Sequence, residues 1–345
     1  MGNIKIGEFE IGSRPYIIAE IGNNHLGDAE LAHKTLDAAI DAGVDAVKFQ
    51  MFKSSELVSA SEPLLKHVPD PACKTQRERF QKMELKPEVF AQLARHAKDR
   101  KIDFLCTPFD LDSADFLDEF VPAFKIASGD VTNSQLIDKL VSRGKPIMIS
   151  TGLCTQDEVD ALVARLPAER TILFHCISSY PTPDEDACLS LIPFYKARYG
   201  LPVGYSDHTC DLMAPIASVA LGAVAVEKHF ILDRALPGGD RQLSLNGSEM
   251  AQLVSDARRM HMMLGDAPRV VRSSEQYGLT RLRRSPYVRR AVKAGESIGV
   301  DDIVFMRPAV ETAFSIEKIM AAGRVRVLVD QPADSLVDPR YFELN

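Results

Sequence analysis

Residues 16–52 read YIIAEIGNNHLGDAELAHKTLDAAIDAGVDAVKFQMF, one complete strand–helix–strand unit. YIIAEIG (16–22) is short and largely apolar, as a buried strand is. AELAHKTLDAAIDAG (29–43) carries apolar residues at helical spacing and stops at Gly43, and AVKFQMF (46–52) returns to the strand pattern. The alternation continues through DFLCTPF (103–109), AFKIAS (123–128), PIMIST (146–151), TILFHCI (171–177), VGYSD (203–207) and AVAVEKHF (223–230). Amphipathic segments such as PEVFAQLARHAKDR (87–100) and SQLIDKLVSRG (134–144) lie between them. Eight such units in about 265 residues predict an α/β fold of the TIM (β/α)8 barrel type. The doubly wound open sheet is disfavoured because no GxGxxG follows the first strand.

The chain has 345 residues, 46% hydrophobic and 26% charged, enough for one large domain and a small one. After the eighth unit the period changes. Residues 265–284 are polar and arginine-rich and read as a linker; residues 285–345 show short strands with Gly and Pro turns, a small β-rich second domain. The barrel is thus expected over 1–264. A net charge of -7 argues against a nucleic-acid partner, with the basic run RLRRSPYVRR (281–290) read as a solvated segment. Six cysteines without a CxxC indicate neither a zinc cluster nor a disulfide framework. The N-terminus lacks the apolar core of a signal peptide and no run reaches the roughly 18 apolar residues of a membrane span, so a cytoplasmic protein without membrane attachment is expected.

Active-site groups of a TIM barrel lie at the C-terminal ends of its strands. Those ends carry Glu20 with Asn23, Asn24 and His25; Lys48 and Gln50; Thr107 and Asp110; Lys125, Ser128 and Asp130; Ser150 and Thr151. The sixth to eighth strands add His175, Ser178, Ser179 and Tyr180, then Ser206, Asp207 and His208, then Glu227, Lys228 and His229. Each desolvated charge costs several kcal/mol unless paired, so this rim reads as a site. Two lysines among serine and threonine hydroxyls suit a substrate bearing phosphate and carboxylate. His208 and His229 end consecutive strands and, with Glu20 or Asp240, offer ligands for a divalent metal. Cys106 and Cys176 have no base partner in sequence and read as packing residues.

Taken in order, IAEIGNNHLGD, VKFQ, TPFD, FKIASGD, ISTGL, HCISSYPTP, GYSDHT and VEKHFILDR resemble the sialic acid synthase family. That family condenses phosphoenolpyruvate with an N-acylated hexosamine to give a nine-carbon 2-keto-3-deoxy acid. The resemblance covers nearly the whole chain, and the C-terminal module resembles the family's antifreeze-like (SAF) domain. It implies Mn2+ or Mg2+ held by His208 and His229, and phosphoenolpyruvate against Lys48, Thr107, Lys125, Ser128, Ser150 and Ser206, with Ser179 a weaker match. Glu20, Asp130 and Asp240 become the carboxylates that move protons. Arg307, in FMRPAV, becomes the arginine by which one subunit of a domain-swapped homodimer reaches the sugar held in the other.

Three departures fall on the sugar side. GGDRQLSL (238–245) has Arg241 where many members have histidine, and we expect Arg241 to contact the acceptor. Asp130 stands where many bacterial members have Glu, and RPAVETAF (307–314) lacks the two glycines of RPGxGI. Two other readings stay open: a Schiff-base aldolase using Lys125 or Lys48 on a pyruvate-derived substrate, and a non-catalytic carbohydrate-binding module.

Overall fold

The computed structural model describes residues 4–65, 70, 72–237, 240–265 and 267–345. Eight parallel strands form the first unit: β1 (Tyr16–Gly22), β2 (Ala46–Met51), β3 (Asp103–Pro108), β4 (Phe124–Ile126), β5 (Ile147–Ser150), β6 (Thr171–Cys176), β7 (Val203–Asp207) and β8 (Ala225–His229). Their order around the sheet is β3-β2-β1-β8-β7-β6-β5-β4. Pairing of β8 with β1 brings the ends of the sheet round, and β3 and β4 lie side by side across the remaining seam without a ladder among the described residues. This is the expected barrel, nearly closed.

Helices return the chain from each strand to the next. They include α1 (Ala29–Asp41), α2 (Ser54–Leu57), α3 (Gln76–Met83) and α4 (Pro87–Asp99), of which α2 and α3 belong to a long insertion between β2 and α4. Local chemistry sets their starts. Asp28 caps α1 by accepting from the Glu30 and Leu31 amides, and Pro87, whose missing N–H is no loss in a first turn, opens α4.

Two hydrophobic clusters divide the strands by parity. Ile17, Ala19, Val47, Phe49, Phe104, Phe124 and Leu173 face the helices, whereas Tyr16, Ile18, Ala46, Leu105, Met148, Ile172 and Ala225 fill the barrel. Ile4 and Ile6, from a short hairpin of Lys5–Ile6 with Phe9–Glu10, join the interior cluster. Continuing the inward parity up each strand from Ile18 gives Glu20, from Ala46 gives Lys48 and Gln50, from Leu105 gives Thr107, from Met148 gives Ser150, and from Ala225 gives Glu227 and His229. The apolar filling of the lower barrel thus becomes a polar set at the top.

Residues Asp266–Asn345 form a second compact unit. Its strands β9 (Ser285–Val288) and β11 (Ile303–Met306) pair antiparallel, and β12 (Arg324–Val327) pairs antiparallel with both β10 (Ser297–Gly299) and β13 (Phe342–Leu344). Val288, Ile298, Ile303, Val325, Val327 and Phe342 make its core. The stretch read as a linker carries a helix, Gln276–Arg281.

Candidate active site

A cavity of about 450 Å3 opens above the interior cluster. At its floor two ammonium and two carboxylate groups interlock. Lys48 Nζ lies 2.8 Å from Glu20 Oε2 and 3.7 Å from Glu227 Oε2, and Lys125 Nζ lies 3.6 Å from Glu227 Oε1. Hydroxyls complete the set: Lys125 donates to Ser150 Oγ at 2.6 Å, Lys48 to Thr107 Oγ1 at 3.2 Å, and Ser206 to Glu227 Oε1 at 2.9 Å. All seven side chains are almost wholly buried. Gln50 donates to Glu20 Oε1 at 2.6 Å and accepts from Asn23 at 3.1 Å.

The two carboxylates experience different surroundings. Burial would raise Glu227, but Lys125, Lys48 and the Ser206 hydroxyl outweigh it and hold its carboxyl below the ordinary value. Burial raises Glu20, Glu227 adds to the rise, and Lys48 and Gln50 only partly oppose it. Glu227 is therefore the fixed anion and Glu20 the better proton carrier. Burial pushes Lys125 down with help from Lys48, against the pull of Glu227; at Lys48 burial is outweighed by Glu20 and Glu227, which hold it above the ordinary lysine value.

His208 and His229 come together beside this floor, with ring centroids 5.3 Å apart and the Tyr180 ring 4.1 Å from that of His208. His208 Nδ1 donates to the Ile177 carbonyl at 2.7 Å; burial would lower this histidine, but Cys176, that carbonyl and Asp207 outweigh it and hold it above the ordinary histidine value. Burial, with His208 and the lysines nearby, holds His229 well below the ordinary histidine value and therefore neutral. Its Nδ1 is buried without a hydrogen-bond partner, 3.7 Å from Asp240 Oδ2. Among the described residues no group of three or more His, Cys, Asp and Glu converges as a metal cluster does. The His229 imidazole, that of His208 once it gives up its extra proton, and a nearby carboxylate nevertheless fit a divalent cation, with Mn2+ suiting nitrogen donors better than Mg2+ and with water or substrate completing its shell.

Two glycines bring backbone in where a side chain has no room. A Cβ on Gly152 falls 2.3 Å from Ser178 Oγ and 2.8 Å from Ser128 Oγ, and the Gly152 amide donates to Ser128 Oγ at 3.0 Å. Gly27, at φ +79°, lies where a Cβ is 2.1 Å from the Lys82 carbonyl, so the loop after β1 packs directly on α3. Leu26 (φ 55°) and Leu153 (φ 64°), both in the cavity wall, hold the left-handed conformation that branched residues seldom adopt.

A NeuB family profile matches residues 35–269. The chain belongs to the NeuB family. Among relatives, the N,N'-diacetyllegionaminic acid synthase of Campylobacter jejuni is 36% identical, over 85% of this chain and 90% of that one. The N-acetylneuraminate-9-phosphate synthase of Mus musculus is 30% identical, over 96% and 94%. The N-acetylneuraminic acid synthetase of Leptospira borgpetersenii, crystallised with citrate, superposes with a TM-score of 0.73 at 33% identity, covering 81% of this chain and 95% of that one.

Of the residues expected from sequence, Glu20, Lys48, Thr107, Lys125, Ser128, Ser150, Ser206, His208, His229 and Asp240 all line one cavity of this NeuB-family enzyme. Three others of the first unit do not line it. Ser179 donates to the Pro181 carbonyl at 2.9 Å, and its neighbour Ser178 lines the wall instead. Asp130 is half-buried one residue beyond the lining Gly129, and Arg241 is exposed. Arg307, in the second unit, is exposed and donates from Nε to the Leu282 carbonyl at 3.0 Å.

Parity corrects the list of rim residues. Lys228, Asp207 and His175 have the opposite parity to the cavity residues on their strands and turn to the helix side. Lys228 pairs with Asp207 at 2.5 Å, both fully buried, and His175 Nε2 lies 2.8 Å from the Ala187 carbonyl. Cys176, expected to be packing, lines the cavity with Sγ 3.8 Å from His208 Nδ1, whereas Cys106 packs on the helix side. Glu227, unassigned in the sequence reading, is central, and the register that sets it opposite Ser206 is its structural signature. Leu65, Arg79, Phe80 and Met83 enter the wall from the insertion after β2, where no strand-end rule points.

Proposed function

We propose that this enzyme condenses phosphoenolpyruvate with an N-acylated hexosamine to give a nonulosonic 2-keto-3-deoxy acid and inorganic phosphate. The observation that carries the reading is the buried Lys48–Lys125 floor, ringed by Thr107, Ser150 and Ser206 hydroxyls and adjoining the His208–His229 pair. Lysines provide point charge for phosphate and carboxylate, hydroxyls provide direction, and burial strengthens both. The names of the relatives support the same reaction class.

In the reaction, C3 of phosphoenolpyruvate bonds to the aldehyde carbon of the open-chain sugar, whose oxygen takes a proton. Water adds to C2, the resulting tetrahedral centre loses phosphate by breaking its C2–O bond, and the remaining hydroxyl gives up its proton to leave the ketone. Lys48 and Lys125, with Thr107, Ser128, Ser150 and Ser206, hold the anionic end. Glu20, whose carboxyl burial raises, is suited to carry a proton at the floor, and Asp240 to carry one beside His229. Asp130 serves from the rim. His208 and His229 would hold a divalent metal, which when bound supplies Lewis-acid polarisation of the aldehyde oxygen. The small unit acts as an antifreeze-like domain that brings Arg307 to the sugar of a partner subunit in a homodimer, and the enzyme works in the cytoplasm.

Incubation with phosphoenolpyruvate, Mn2+ and a panel of N-acylhexosamines tests this: phosphate release together with a new 2-keto acid is expected, and silence across the panel from folded protein overturns it. The low-lying Lys125 favours one rival, a Schiff-base aldolase. Borohydride with pyruvate traps an imine on that route and nothing on ours.

A further inference from the structure

The floor of the cavity is electrically closed. Lys48 and Lys125 already face Glu20 and Glu227, and one cation of the wall stands apart from that set. Arg79, on α3, is half-buried and lines the cavity. Its guanidinium makes no ion pair and no side-chain hydrogen bond with any described residue; Asp70 feels its charge without pairing. The Arg79 guanidinium carbon lies 6.0 Å from the centre of the Phe80 ring, at the edge of a cation–π contact. A half-buried guanidinium without a carboxylate forgoes a stabilising partner, and a ligand that supplies an anion restores it.

The helix that carries Arg79 is held in place. Phe80 packs edge-on against Phe52 at 5.4 Å, and the Gly27 backbone lies against the Lys82 carbonyl. Arg79, Leu65, Phe80 and Met83 come from the insertion and not from the strand ends that carry the lysines and histidines. Leu65, Phe80 and Met83 make the insertion's share of the cavity wall apolar, and Arg79 gives it one positive charge. Arg241, the charge that the sequence singled out, is exposed and outside this wall.

We infer that Arg79 recognises an anionic group at the end of the acceptor distant from its aldehyde, so that the acceptor of this enzyme is an acidic N-acylhexosamine, a phosphate ester or a carboxylate, rather than a neutral one. The inference rests on the synthase reading and specifies its substrate class. Bidentate geometry suits either anion, and the planar guanidinium discriminates against an uncharged hydroxymethyl group.

The test uses unreactive alditols with the full-length protein, phosphoenolpyruvate and Mn2+ present. N-acetylmannosaminitol, its 6-phosphate and its 6-carboxylate are titrated by calorimetry into wild type, Arg79→Met and Arg79→Lys. Wild type is expected to bind one of the charged alditols at least about tenfold tighter than the neutral one, the range of a charged hydrogen bond. Arg79→Met loses that preference and Arg79→Lys retains part of it; the tighter of the two anions identifies the source. Equal binding of all three by wild type, or a preference that survives in Arg79→Met, overturns the inference. Turnover separates the two readings. Phosphate release with neutral acceptors alone keeps the synthase and removes the role of Arg79, whereas no release with any acceptor removes the synthase and leaves the alditol titration to decide what Arg79 binds.

Discussion

Lys125 Nζ lies 3.6 Å from Glu227 Oε1, near enough to be neutralised by it but too far to be hydrogen-bonded, because its 2.6 Å hydrogen bond goes to Ser150. The ammonium thus keeps bonding capacity for a ligand while its charge is compensated in the free protein. Lys125→Met should raise the KM for phosphoenolpyruvate by about a hundredfold, the cost of removing a buried charged partner. A change of less than threefold in steady-state kinetics would mean that the substrate anion is held elsewhere.

Glu227 is the anion that allows two lysines to be buried together. Glu227→Gln removes the negative charge at nearly constant shape and leaves the two ammonium groups with Glu20 alone. Loss of one partner from a buried ionic set costs about 3 kcal/mol, read from the denaturant midpoint. Saturating phosphoenolpyruvate, itself an anion, should recover part of that loss. A variant as stable as wild type without ligand would contradict the compensating role.

Gly152 is fixed by space rather than by conformation. In Gly152→Ala the added methyl meets Ser178 Oγ and Ser128 Oγ, so both hydroxyls must move from the cavity wall. Overpacking of this kind costs about 1–3 kcal/mol, and substrate affinity should fall with it. Unchanged thermal stability and unchanged KM values would show that the wall yields freely.

His25 ties stability to pH. It is buried, its Nδ1 accepts from the Gly27 amide at 3.1 Å, and burial holds its pKa down to about 4 from 6.5. The unfolded chain takes up the proton first, so this stability is present above pH 6.5 and is lost as pH falls towards 4. The full loss is about 3 kcal/mol. Urea midpoints at pH 7 and pH 4.5 should differ more for wild type than for His25→Asn, and equal differences would refute the assignment.

The barrel was legible because strand and helix periods differ and each is repeated eight times. The floor of the site was legible for the same reason, since strand ends converge in such a fold. What the sequence does not display is parity. Lys228 and His229 are neighbours in the chain, yet one is sealed against Asp207 on the helix side and the other lines the cavity. A run such as VEKHF carries polar residues at both parities, so polarity does not tell which alternate residues point inward. Arg79 was invisible for a different reason: its position depends on where the insertion after β2 folds back, which the contacts of Phe52 and Gly27 decide. Arg241 attracted notice as a departure from a motif, but a departure marks a change without saying which way the side chain faces.

The central claim is a condensation that breaks the C2–O bond of phosphoenolpyruvate after water adds at C2. Phosphoenolpyruvate labelled with 18O at the bridging position, turned over with Mn2+ and an accepted N-acylhexosamine, tests that claim in one mass spectrum of the released phosphate. The account predicts that the phosphate carries the label and that the new keto acid does not retain it from the bridge. Unlabelled phosphate, the result of cleavage between phosphorus and the bridging oxygen, would contradict it.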